Sequence, residues 1–161
     1  MAIQLSEAHL AEIRAHGGDA FPQECCGALL GSVEGDSKTV QEIRRLSNAF
    51  QSSAEFEAVT VGEQTAQAQP TPGQERRYMV SPDVMFALMR EERQTGRKIL
   101  GFYHSHPNHP ARPSLYDRDW ASPWYCYLIV SVMEGAPGEL TAWTLNDNNE
   151  FQPETLTAAQ N

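Results

Sequence analysis

His104-Ser105-His106 places two imidazoles at positions i and i+2, and Ser114 and Asp117 follow after a stretch holding Pro107, Pro110 and Pro113. On a strand, residues two apart point to the same side, so two ring nitrogens can meet at one point in space. A strand is expected from Lys98 to His106, opening with the apolar run Ile99-Leu100-Gly101-Phe102. The prolines end it in a stiff loop that cannot pair into a sheet, and Ser114 starts a helix running to about Ala121. Asp117, in the first turn of that helix, can then add a carboxylate oxygen. Two histidines and one carboxylate leave the fourth position of a tetrahedral zinc open, which is the catalytic rather than the structural arrangement. A proline-stiffened loop also loses less entropy when a metal or substrate orders it.

A plainer reading covers the same residues. Ser114-Leu115-Tyr116-Asp117 matches a helix capping box, with Ser114 as cap and Asp117 near the positive helix end. His-x-His on a strand is also common without any metal. The readings are compatible if the cap uses only the hydroxyl while the carboxylate turns toward the imidazoles. A zinc hydrolase further needs a general base for water. Glu24 abuts the short apolar run Cys25 to Gly31, where partial desolvation would raise its pKa; the alternative is an ordinary surface glutamate at a strand edge, and spacing does not decide between them.

The set Glu24, His104-Ser105-His106-Pro107, Ser114 and Asp117 resembles the JAMM (MPN+) metallopeptidase motif, a distant Glu followed by H-S/T-H-P, a Ser and an Asp. Glu24-Cys-Cys-Gly-Ala-Leu-Leu-Gly31 and Gly101-Phe-Tyr-His-Ser-His-Pro107 are similar to compact prokaryotic members, and the resemblance runs from about Leu5 to Leu145. It implies that His104, His106 and Asp117 bind Zn2+, that Glu24 is the general acid/base, and that Ser114 steadies the tetrahedral intermediate. The implied fold is α/β (α+β), a curved mixed β-sheet flanked by helices. The implied activity is zinc-dependent hydrolysis of an amide bond at the C-terminal tail of a ubiquitin-like (sulfur-carrier) protein, with isopeptide cleavage of protein conjugates as the alternative. A non-catalytic scaffold is the competing reading of another class. A zinc deaminase is disfavoured because its H-x-E and P-C-x-x-C signatures are absent.

The remaining elements must position this set. A helix is expected from Ser6, as N-cap, to His16, with Gly17-Gly18 as its stop and with His9 and His16 exposed. Cys25 to Gly31 reads as a buried strand paired antiparallel with Thr39 to Leu46 through the turn Glu34-Gly35-Asp36. A long polar insertion (47–76), most distinct between Ser47 and Gln74, precedes a short strand at Tyr78-Met79-Val80 and a helix Pro82 to Thr95, closed by Gly96. That helix is expected to bury Val84, Met85, Phe86, Leu88 and Met89. Two closing strands, Tyr125 to Val132 and Glu139 to Leu145, complete a domain over residues 1–146, and the polar tail 147–161 is expected to be loosely held.

The chain has 161 residues and a formal charge of −9, from 12 Lys plus Arg against 21 Asp plus Glu, which suits one domain and argues against a nucleic-acid partner. Arg44-Arg45 and Arg76-Arg77 are expected to be solvated strand edges. No apolar run reaches the ~20 residues of a membrane span, and the N-terminal residues lack the features of a signal peptide. Adjacent Cys25 and Cys26, with Cys126 inside an apolar run, do not make a disulfide framework and read as reduced core thiols. A cytoplasmic location follows as the expectation, with oligomeric state open.

Overall fold

A computed structural model describes residues 2–48 and 80–159. The expected insertion beyond Asn48, Arg76-Arg77, and the expected strand up to its last residue Val80 lie outside the described residues. The elements are β1 (Ala2–Ser6), α1 (Glu7–Ala20), β2 (Cys26–Glu34), β3 (Ser37–Leu46), α2 (Pro82–Thr95), β4 (Lys98–Pro107), α3 (Leu115–Trp120), β5 (Cys126–Met133), β6 (Ala136–Leu145), β7 (Phe151–Pro153) and β8 (Thr155–Ala159). They form one eight-stranded sheet in the order β7-β6-β5-β4-β2-β3-β1-β8. It is mixed: β1 runs parallel to β3 and β8, and β4 parallel to β5, while the other pairs are antiparallel.

The two ends of that order are joined by a single residue. β7 pairs with β6 at one edge and β8 with β1 at the other, and only Glu154 separates them. The end of the chain therefore straddles both edges and curls the sheet into a nearly closed barrel. This corrects the expectation of a loosely held tail. Its polar sequence shows no apolar alternation because these short strands lie mostly exposed, while one charged side chain is turned inward. Glu154 and Lys38 of β3, both buried, meet at 3.4 Å. The Glu154 N–H also donates to the Ala142 carbonyl of β6 at 2.8 Å.

Helix α1 lies in the concave face, touching β1, β3, β4, β5, β6 and β8. Its Leu10 and Ile13 pack with Ile3, Leu29, Tyr103, Leu128 and Val130, and each such fully buried aliphatic side chain stabilises the fold by roughly 1.5–3 kcal/mol. Ser6 caps the helix as expected. Gly17-Gly18 does not stop it; the helix continues to Ala20 because Gly17 is where helix and sheet come closest. A Cβ there would sit 3.0 Å from Val132 Cγ2 and 3.3 Å from Val130 Cγ1. The helix thus accepts a propensity cost of about 1 kcal/mol per glycine in exchange for close packing. His9 and His16 are half-buried rather than exposed: His9 completes the cap on the Ser6 N–H, and His16 Nδ1 lies 2.7 Å from the Tyr103 hydroxyl.

Helix α2 covers the opposite face. Leu88 packs with Ala28, Leu30, Ile99, Phe102 and Tyr127, and Val84 and Met85 flank them. Ser81 caps the helix and left-handed Gly96 closes it, as expected. Phe86 and Met89, expected in the core, are exposed, and the Arg90 guanidinium lies over the Phe86 ring. The arginine pair of β3 does more than line an edge. Alternation sends Arg44 to Glu42 and to Glu91 of α2, and Arg45 to Glu12 and Asp19 of α1, so one dipeptide ties a helix to each face.

All three cysteines are free and buried, and burial pushes the thiols of Cys25 to about 11 and Cys26 to about 12. Native protein at about pH 8 should therefore resist iodoacetamide and take up label on all three only when unfolded; rapid native labelling would contradict this burial. For the closing ion pair, Glu154→Ala leaves Lys38 buried without its counter-charge and should cost about 3–5 kcal/mol in urea unfolding. The double change Lys38→Met, Glu154→Leu should recover most of that loss. A single variant as stable as the parent would show that the pair does not hold the barrel shut.

Candidate metal centre

Strand β4 is buried along nearly its whole length, and its alternation divides its side chains. Tyr103 and Ser105 turn toward α1, whereas His104 and His106 turn to the other side, where their Nε2 atoms lie 3.1 Å apart. After Pro107 the chain swings out and returns at Ser114, and α3 starts there. Asp117, in the first turn of α3, presents Oδ1 at 3.0 Å from His104 Nε2 and Oδ2 at 3.1 Å from His106 Nε2. The capping box forms as well. Ser114 Oγ accepts from the Asp117 N–H at 3.1 Å, and Asp117 Oδ2 accepts from the Ser114 N–H at 2.8 Å. The expectation that the carboxylate stays clear of the cap is thus corrected: one oxygen serves cap and imidazole together, which fixes the carboxylate plane.

Glu24 lies just before β2, whose first residue Cys26 is registered with His104. Beyond that pair, Cys25 and Ser105 exchange two bonds: Ser105 N–H donates to the Cys25 carbonyl at 3.2 Å and Cys25 N–H to Ser105 Oγ at 2.8 Å. Asn48, two residues beyond β3, donates its amide to the Glu24 carbonyl at 3.1 Å. The backbone on either side of the Glu24 peptide is thereby held. Glu24, His104, His106 and Asp117 are all buried, and one ligand atom from each lies within 4.8 Å of the others. Ser114, half-buried, stands beside them through the cap. His109, by contrast, has an exposed residue position and contributes its carbonyl, not its ring, to the loop.

The electrostatics follow from burial. Desolvation, and after it the Asp117 charge, pushes the Glu24 carboxyl well above the usual carboxylate range. Desolvation also acts to raise Asp117, but the charges and hydrogen bonds of His104 and His106 outweigh it and hold that carboxyl well below its ordinary value. Burial lowers His104 against the opposing pull of Asp117.

The donor set suits a cation. His106 Nδ1 lies 2.9 Å from the Pro110 carbonyl, which can only accept, so the Nδ1 proton is committed there. Nε2 then meets Asp117 Oδ2 at 3.1 Å in one of two ways, as the second donor of an imidazolium or, in the neutral ring, as a lone pair that needs a cation between it and the carboxylate. A tetrahedral ion with bonds of ~2.0–2.1 Å keeps its ligand atoms about 3.3 Å apart, close to the separations seen. Glu24 Oε1 is buried without a hydrogen-bond partner and faces the same cluster. Imidazole nitrogens with a carboxylate are the ligand chemistry of zinc and its first-row neighbours.

Reading the sequence for ligands misses Ser105, Asn48 and the Pro110 carbonyl. Ser105 has a signal, since alternation must send the residue between two convergent histidines to the opposite face. A backbone carbonyl and an asparagine distant in sequence have none.

The chain is 29% identical to a desampylase of Haloferax volcanii over 154 residues, 94% of this chain and 91% of the relative. It is 27% identical to a desampylase of Pyrococcus furiosus over 128 residues, 80% and 71% of the two chains. Among solved structures, a protein from Salinibacter ruber superposes with a TM-score of 0.65 at 34% identity, covering 97% of this chain and 91% of that one. A JAB1/MPN domain protein from Archaeoglobus fulgidus shares the fold with a TM-score of 0.51 at 18% identity, covering 98% and 99%. The family model for prokaryotic homologues of the JAB domain matches residues 6–146, which include the whole buried cluster, and the chain belongs to that family.

Proposed function

We propose that this chain is a zinc-dependent isopeptidase that removes a ubiquitin-like protein from its conjugates. The observation that carries the reading is the buried convergence of His104, His106, Asp117 and Glu24, three of them suited to hold a metal and the fourth a carboxyl whose Oε1 has no hydrogen-bond partner. The two desampylase relatives, whose name denotes removal of a ubiquitin-like tag, support the substrate class.

His104, His106 and Asp117 would hold the ion, with Asp117 kept anionic and oriented by the Ser114 N–H. Once bound, a divalent cation supplies Lewis-acid polarisation of a carbonyl and lowers the pKa of water. Glu24 takes the proton of the attacking water and later gives it to the leaving amine. Its burial suits both proton transfers. Desolvation, and after it the Asp117 charge, holds the carboxyl above the usual carboxylate range, the direction a general acid/base needs. Ser114 Oγ accepts from the Asp117 N–H, which leaves its own proton to donate to the developing oxyanion. The bond broken is the amide between the modifier's C-terminal carboxyl and an amine.

The test combines metal content with cleavage of two substrates, a ubiquitin-like protein joined to a lysine ε-amine and a sulfur-carrier protein of the same fold extended linearly at its C-terminus. The expected result is about one zinc per chain, cleavage lost on chelation and restored by zinc, and faster release of the isopeptide-linked partner. Preferential cleavage of the linear extension would replace the conjugate reading with carrier trimming. Metal-replete protein that turns over neither substrate would leave a scaffold. Glu24→Gln should keep its zinc while kcat falls about 10²–10⁴-fold; a fully active variant would remove Glu24 from the chemistry.

A further inference from the structure

The loop between the second histidine and Ser114 is held by side chains that lie on other strands. Ser131 of β5 donates its hydroxyl to the His109 carbonyl at 2.7 Å, and Thr141 of β6 donates to the Ala111 carbonyl at 2.6 Å. These two anchors fall on either side of Pro110, whose carbonyl accepts from His106 Nδ1 at 2.9 Å and from the Arg112 N–H at 2.8 Å. The Thr141 hydroxyl is itself oriented. The Trp143 indole N–H donates to Thr141 Oγ1 at 2.8 Å, occupying the oxygen as acceptor and directing its single proton to Ala111. Thr141 and Trp143 are two apart on β6 and so share a face. Ala111 is fully buried beneath them, so its carbonyl has a strong requirement for that donor.

We propose that Thr141, oriented by Trp143, and Ser131 are positioning residues for His106: they fix the Pro110 carbonyl, which sets the tautomer and direction of the ring. The hydroxyls touch neither substrate nor metal. They act through two successive carbonyls and one ring, which is how groups behind a ligand tune a metal site. The inference rests on the reading that His106 is a metal ligand. It goes beyond that reading by assigning control of the site to strands β5 and β6, which contribute no ligand.

The test measures Zn2+ affinity of the full chain by competition with a chelating dye, together with the His106 tautomer by 15N–1H correlation in chelator-stripped protein. Thr141→Val, which keeps shape and loses the hydroxyl, should bind Zn2+ about 10–100-fold more weakly and lose the single Nδ1–H tautomer. Thr141→Ser should restore both. Trp143→Phe should weaken binding less than Thr141→Val and add nothing to it in the double variant, because both act through one bond. If Thr141→Val does not fold, Trp143→Phe carries the test alone, since it removes one N–H and keeps the hydroxyl. Parental Zn2+ affinity in a folded Thr141→Val, or in Trp143→Phe when only that variant folds, would overturn the proposal while leaving the metal reading standing. A parent chain that binds no Zn2+ would overturn the metal reading and the proposal with it.

Discussion

Two imidazoles can be aimed at one point from β4 because that strand is covered on both faces. One face carries Tyr103 and Ser105 into the barrel against α1; the other carries His104 and His106 toward Asp117. A strand with one open face would leave its histidines hydrated and free to rotate. Here they are packed, and each buried polar atom must find a partner or incur a desolvation cost of about 1–3 kcal/mol. The site is arranged around that requirement. His106 commits Nδ1 to Pro110, Asp117 Oδ2 accepts from Ser114, and Ser105 is engaged with Cys25.

Local structure and the geometry of the cluster are consequently the same set of bonds. The Ser114–Asp117 capping box is a device for starting a six-residue helix, yet its carboxylate is the one that meets both imidazoles. An isolated helix this short is not stable in water, so the cap and the contacts of Asp117 are what make it form. Glu24 is treated likewise. The bonds that begin the β2–β4 ladder pass through Cys25, so the ladder sets the carboxylate's neighbour. The bonds at this end of the ladder therefore also hold the backbone next to the acid.

What was legible in the sequence was short-range. His104 and His106 are two residues apart on an apolar strand, and Ser114 and Asp117 three apart at a helix start, so each pair declares its geometry through local periodicity. The fold class came through the resemblance carried by those residues. Elements that depend on distant partners are not legible in this way. β1 and β8 are polar on their exposed faces and pair with each other across the length of the chain. The glycines of α1 carry the same letters as a helix stop; only the β5 side chains opposite Gly17 make them a packing contact. Phe86 and Met89 fit an apolar helix stripe but point away from the sheet, since the smaller core on that face is filled by Val84, Met85 and Leu88.

The missed segments are not peripheral to the chemistry. Thr141 and Trp143 stand on β6, an edge strand until β7 pairs with it. The Glu154 N–H bonds the carbonyl of Ala142, the residue between those two, and the Glu154 carboxylate reaches back to Lys38 of β3. A continuous series of bonds therefore runs from the closing ion pair through β6 to the loop anchors and on to His106. The cluster is thus supported from both neighbours of β4, by β2 on one side and by β5 and β6 on the other, and the outer edge of β6 is covered by a polar stretch whose own letters say nothing of metal or catalysis. The formal charge of −9 is not all on the surface: Glu24, Asp117 and Glu154 are buried, the first two in the cluster with His104 and His106 and the third against Lys38. Among the described residues the buried charges are gathered in these two places, where burial without a partner would be costly.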